Sequence, residues 1–149
     1  MSHHLLLIIH LISASIWVGG HLYIAIAILP KALSTKNCTA LLLTEKRFEP
    51  IGITALLLLV ITGVWMALQL GIKLDLWFSF SSPIERVTST KLLLLLCTLL
   101  LAISAQTRVI PKLKTQPKKI IEMAAHIIAV TLIGVAMLIL GSFVRYGGI

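Results

Sequence analysis

Residues 5–29 read LLLIIHLISASIWVGGHLYIAIAIL, and this stretch decides the fold. It holds no Asp, Glu, Lys or Arg across 25 residues. A helix needs about 20 apolar residues to cross the hydrocarbon core of a bilayer. The run shows no period-2 alternation, which excludes a barrel strand. In lipid the backbone must satisfy its own N–H and C=O groups, so a helix is what remains. The run begins near residue 5, lacks a basic leading segment and is too long for the core of a signal peptide. It reads as a first membrane helix.

Three more runs have the same character, at about Ile51–Ile72, Thr90–Ile110 and Ile120–Phe143. Pro30 and Pro111 are expected to close the first and third helices, and Pro50 to open the second, where a proline is tolerated. The expected fold is an all-α integral membrane protein, a single four-transmembrane-helix bundle over residues 1–149 with helices at about 5–29, 51–72, 90–110 and 120–143. There is no internal repeat and no domain linker.

Composition agrees. Hydrophobic residues make up 58% of the 149 and charged residues 12%, against roughly 25% charged in a soluble domain. The net charge of +8 does not indicate nucleic acid, because the basic residues sit in short loops between apolar runs. Such charges set topology and touch anionic head groups. Lys31, Lys36, Lys46 and Arg47 precede the second span, and Arg108, Lys112, Lys114, Lys118 and Lys119 precede the fourth. The opposite side has Lys73, Arg86, Lys91 and Arg145. The positive-inside rule puts the richer side in the cytoplasm and both termini outside, which for a Gram-negative source is the periplasmic face of the inner membrane. The segment from Lys73 to Ser89 is then the longest outer loop. Its Leu76, Trp77, Phe78 and Phe80 suit the membrane interface or a cap over a site. Cys38 and Cys97 are isolated, so no disulfide framework or thiolate metal site is indicated.

Ionisable groups within a span are costly and mark function by default. On the first helix His10, Trp17 and His21 are 7 and 11 residues apart, which returns them to one face, with Ser13 and Gly20 beside them. The two histidines lie about 16 Å apart along the axis, so they mark two depths and cannot share one ion. On the fourth helix Met123, His126, Gly134, Met137 and Gly141 fall within roughly 80°. Counting inward from the helix ends matches His126 in depth with His21. Thr62, Gly63, Met66 and Gln69 make a weaker stripe on the second helix.

Two chemistries fit. Facing imidazoles in a four-helix bundle can supply both axial ligands of haem iron. His21 and His126 would make that pair, with Gly20 and Trp17 beside the macrocycle. Arg47, Arg108, Lys91 and Arg145 are near enough to the membrane surfaces to meet propionates. His10 would belong to an outer site, with His3 and His4 as candidate partners. The rival is copper. Cu(I) favours thioether and accepts imidazole, and His10, Met66, Met137, His21, His126 and Met123 could supply ligands at several depths. A third reading is structural, with histidines that hydrogen-bond across helices in a non-catalytic membrane subunit. There is no phosphate-binding glycine loop, no HExxH and no paired carboxylate in a span. If the protein is an enzyme, it is a membrane oxidoreductase.

The pattern HLxxxxxWVGGH…LP from His10 to Pro30 resembles the first helix of the copper resistance protein D (CopD) family. So do Arg47-Phe48 leading into Thr62-Gly63, Lys91 at the head of a leucine run, and Arg145-Tyr146-Gly147-Gly148 near the end. The resemblance implies a bacterial inner-membrane protein concerned with copper uptake or tolerance. HemJ-type protoporphyrinogen oxidases, a related group held to bind haem b, have a similar His-x6-Trp first helix. His10 and Trp17 match both groups, whereas His21 departs from the HemJ pattern. The leading expectation is therefore a haem b-binding electron-transfer protein with His21 and His126 as ligands, and copper handling is the alternative. Candidate partners are membrane lipid, a quinone, a periplasmic redox or copper protein, and a second copy of the chain as a homodimer.

Overall fold

The four apolar runs fold as four helices, each long and apolar enough to cross a bilayer: α1 (His3–Thr35), α2 (Thr39–Gln69), α3 (Pro83–Leu113) and α4 (Ile120–Val144). A computed structural model of the chain describes residues 2–115 and 119–148, the side chains of Lys114 and Thr115 excepted. Lys118, counted above among the loop cations, lies outside the described residues. Among them every regular element is helical. Both termini fall at one end of the bundle, here the terminal end, and the α1–α2 and α3–α4 connections fall at the loop end.

The helices outrun the hydrophobic spans, and the prolines do not stop them. Proline removes one backbone donor and its ring crowds the carbonyl four residues earlier. In α1 the turn Ile24–Ile28 widens to π geometry just before Pro30, and in α3 the turn Ala105–Val109 does so before Pro111. Each wide turn starts six residues before its proline, and each absorbs the misfit so that the helix continues. Pro50 is interior to α2, which begins at Thr39 rather than near residue 51. Its carbonyl accepts from the Thr54 hydroxyl at 2.9 Å. These are corrections to the boundaries expected from hydropathy alone.

The ends are capped by local chemistry. The Ser2 hydroxyl accepts from the Leu5 N–H at 3.4 Å. At α3, Ser82 and Glu85 form a reciprocal capping box ahead of Pro83, which satisfies donors that a helix start leaves orphaned. Glu85 also accepts from the Ser79 hydroxyl. Past α4, Gly148 takes a φ of +101° and lies so close to the Pro83 backbone that a Cβ would overlap it. The end of the chain is thereby seated on the start of α3.

Packing is uneven. α1 lies along α2, α3 lies along α4, and the two hairpins join chiefly through α1 and α4, while α2 and α3 scarcely meet. The loop half is solid. Ile24, Leu29, Leu41, Val109, Leu113, Met123 and Ile127 form one buried cluster there. A smaller cluster of Trp17, Val18, Ala55 and Val130 sits at mid-depth. Beyond it, toward the terminal end, the bundle is hollow. The outer surface is apolar, with Ile26, Leu100, Ile121 and Leu132 well exposed, as a lipid-facing surface requires. A groove of about 520 Å³ runs along that surface between α1 and α2, lined by residues such as Ile9, Ile12, Ile51 and Leu58. It offers almost no polar groups and sits where lipid chains would lie.

Candidate functional site

The hollow is a cavity of about 280 Å³ lined by all four helices. Its floor is Trp17, 5% exposed, whose ring lies close over Gly134, where a Cβ would come within 3.1 Å of it. Its mouth, at the terminal end, is bordered by His3, Leu70, Trp77 and Val144. His3 donates from Nδ1 to Gln69 Oε1 at 3.0 Å, tying α1 to α2 at that rim. The loop residue Trp77 reaches the lining, so this loop borders the mouth of the cavity.

His10 lies on the wall. Thr62 donates its hydroxyl to the Leu58 carbonyl at 2.6 Å, so toward His10 Nδ1, 2.8 Å away, it can only accept. Nδ1 therefore carries the proton and Nε2 keeps its lone pair. Gly63 lets the ring lie this close to α2, since a Cβ there would approach His10 Cε1 to 3.3 Å. Met66 on α2 and Met137 on α4 line the same cavity.

Lys91 lines it too, with Nζ beside Gly141, where a Cβ would stand 3.5 Å away. Sequence reasoning offers Lys91 as a propionate partner and misses that it faces the same space as His10. A signal was present. His10 precedes Pro30 by 20 residues, and Lys91 precedes Pro111 by 20. α1 and α3 run in the same direction and carry the same wide turn, so the two side chains sit at one depth.

The other histidines are arranged differently. His21 donates from Nδ1 to the Trp17 carbonyl at 2.8 Å, lies tilted at 49° against the Trp17 ring with centres 4.6 Å apart, and meets Phe48 edge-on at 5.3 Å. Phe48 presses so closely on Gly20 that a Cβ there would overlap the ring. The glycine thus receives a protein side chain, in the place expected for a flat ligand. His126 donates from Nδ1 to the Glu122 carbonyl at 2.9 Å and accepts at Nε2 from the Ser104 hydroxyl at 3.1 Å. Both its nitrogens are occupied, and its cross-helix partner is α3. No hydrogen bond or ring contact among the described residues joins His21 to His126. Thr131, whose hydroxyl donates to the Ile127 carbonyl at 2.7 Å, is the α4 residue level with His21, its oxygen 3.4 Å from the His21 carbonyl, which leaves His126 about 7 Å deeper. The equal depth expected for the pair is off by more than one turn, because α1 runs on to Thr35, past the end near Leu29 that hydropathy suggested, while α4 starts at Ile120 as expected.

Met123 is 2% exposed within the loop-half core. Arg47, Arg108 and Arg145 are exposed, and none lines the cavity. His4 is exposed at the start of α1. No group of three or more His, Cys, Asp or Glu side chains is gathered for a metal among the described residues. Soft ligands gather instead: two histidines and two methionines on one cavity.

A family model described as "CopD: Copper resistance protein D" matches residues 42–144. The matched stretch holds Met66, Lys91 and Met137, and leaves out all of α1 with His10, Trp17 and His21. No curated protein and no solved structure matches the chain.

Proposed function

Since the chain belongs to the copper resistance protein D family, we propose that it is a multi-pass membrane protein that binds Cu(I) in the terminal-end cavity, as cargo to be taken up or handed on. One observation carries the reading: His10, Met66 and Met137, from three different helices, line one cavity, with His3 at its mouth. Thioether and imidazole are ligands that Cu(I) accepts. The Thr62 contact fixes the His10 tautomer so that Nε2 offers its lone pair, the usual way in which an outer partner orients a histidine ligand. With both termini outside, as the lysine and arginine distribution indicates, the mouth opens to the periplasmic side of the inner membrane.

The haem b alternative rests on His21 and His126, and the loop half gives it little room. A porphyrin there would have to displace Phe48 from Gly20 and Ser104 from His126. The hydrogen bonding of His126 favours the structural role instead.

Anaerobic titration of the purified chain in neutral detergent, with a chromophoric Cu(I) chelator as competitor, tests the reading. One Cu(I) per chain is expected, weakened at least tenfold by His10→Ala and by Met66→Leu with Met137→Leu. His126→Ala is expected to leave binding unchanged. Absence of stoichiometric copper, or a sharp Soret band on reconstitution with haem b that His21→Ala abolishes, would overturn it.

A further inference from the structure

The cavity is far larger than one metal ion requires, and part of its chemistry suits no cation. The ion pair Lys119–Glu122, at 3.7 Å, sits at the loop end. No acidic side chain among the described residues lines the cavity. The carboxylate of Glu85, the nearest acid to Lys91 along the chain, is committed to the Ser79 hydroxyl and the Ser81 and Ser82 N–H groups in the cap of α3. Lys91 is therefore a cation within a membrane span that faces an apolar cavity without a counter-charge. Such groups are expensive in a membrane and are kept where they meet a ligand, a partner or water. A second donor is in the same condition. Trp77 Nε1 is buried and has no acceptor among the described residues, although its side chain belongs to the cavity lining.

We propose that the cavity also binds an organic anion with an apolar body, of the fatty-acid class, its carboxylate held by Lys91 and Trp77 and its chain lying toward the Trp17 floor. Three features set the class. A formal anion compensates the ammonium, which a neutral carbonyl compound does not. The volume of about 280 Å³ suits a small organic body and is wasted on a lone halide. The direction is that of an amphiphile entering from the terminal end. Below Lys91 the wall continues through Leu92, Leu95 and Thr98, about 10 Å of mostly apolar depth. Thr98 directs its hydroxyl to the Leu94 carbonyl at 2.9 Å, so the wall there presents its methyl side. The anion site is independent of the copper reading, since neither Lys91 nor Trp77 is a copper ligand, and it can hold while that reading fails.

Calorimetric titration of the metal-free chain in a neutral maltoside detergent, with octanoate and octanol as probes, decides the matter. Saturable one-to-one octanoate binding is expected, with octanol at least tenfold weaker. Lys91→Met should weaken octanoate at least tenfold while Lys91→Arg keeps most of it, and Trp77→Phe should weaken it severalfold. Equal binding of octanoate and octanol, no octanoate binding, or an undiminished Lys91→Met variant would overturn the proposal. Displacement of octanoate by an equal concentration of chloride would overturn it as well, in favour of a small-anion site. Should Lys91→Met fail to fold, the octanoate-to-octanol ratio in the unaltered chain still decides.

Discussion

His10 Nδ1 lies 2.8 Å from the Thr62 hydroxyl, and that hydroxyl is already spent on the Leu58 carbonyl at 2.6 Å. A side chain on α2 thereby sets the tautomer of a histidine on α1. Replacing Thr62 with Val keeps the shape and removes this acceptor, leaving the His10 N–H the Leu59 carbonyl alone. Loss of one such hydrogen bond costs about 0.5–1.5 kcal/mol. Thermal unfolding in detergent should show Thr62→Val clearly less stable than wild type, with Thr62→Ser close to wild type. Cu(I) affinity should follow the same order, and a Thr62→Val variant with both properties intact would refute the link.

Gly20 and Phe48 make a second coupled pair. A methyl group on Gly20 would occupy the space of the Phe48 ring, and overpacking of this kind costs roughly 1–3 kcal/mol. Gly20→Ala should lower the unfolding temperature, and Phe48→Leu should open a small cavity beside His21. The double variant should be more stable than the sum of the two single losses, because the smaller side chain makes room for the methyl. Strict additivity would mean that the ring and the glycine do not press on each other.

How much of this could be read from residues alone divides along physical lines. Spans depend on summed hydropathy, so the four helices were legible. Helix ends depend on local backbone geometry, and Pro30 and Pro111 misled because wide turns absorb what those prolines disturb, while Pro50 is carried inside α2. The face shared by His10, Trp17 and His21 follows from helical periodicity, and Trp17 does point inward. Periodicity says nothing of what stands opposite. That Phe48 would fill the space beside His21, that Ser104 would take the second nitrogen of His126, and that Lys91 would share a cavity with His10 are matters of packing between helices. The equal spacing to Pro30 and Pro111 was the one trace of the last of these.

Topology provides a separate test. Nine cations near the loop end against four near the terminal end place both termini outside by the positive-inside rule. A periplasm-active phosphatase fused after residue 148 should be active, and a fluorescent protein fused there by the same export route should stay dark. Insertion of the same reporters near Asn37 should reverse the pattern. The opposite result would turn the cavity mouth to the cytoplasm and make the protein an acceptor of copper from that side.

Ser104 and His126 distinguish a structural histidine from a ligand. His126 uses Nδ1 on its own helix and Nε2 on α3, so its imidazole works as a rivet between the two helices of the second hairpin. Side-chain hydrogen bonds between membrane helices contribute about 0.6 kcal/mol on average and up to about 1.7 kcal/mol. Ser104→Ala should therefore cost a fraction of that range, visible as a small loss of thermal stability with no change in Cu(I) stoichiometry. His126→Gln, which keeps one acceptor and one donor group, should cost less stability than His126→Ala. If His126→Ala instead removes bound metal or pigment while the fold holds, His126 is a ligand, and the functional site extends into the half of the bundle that the core now fills.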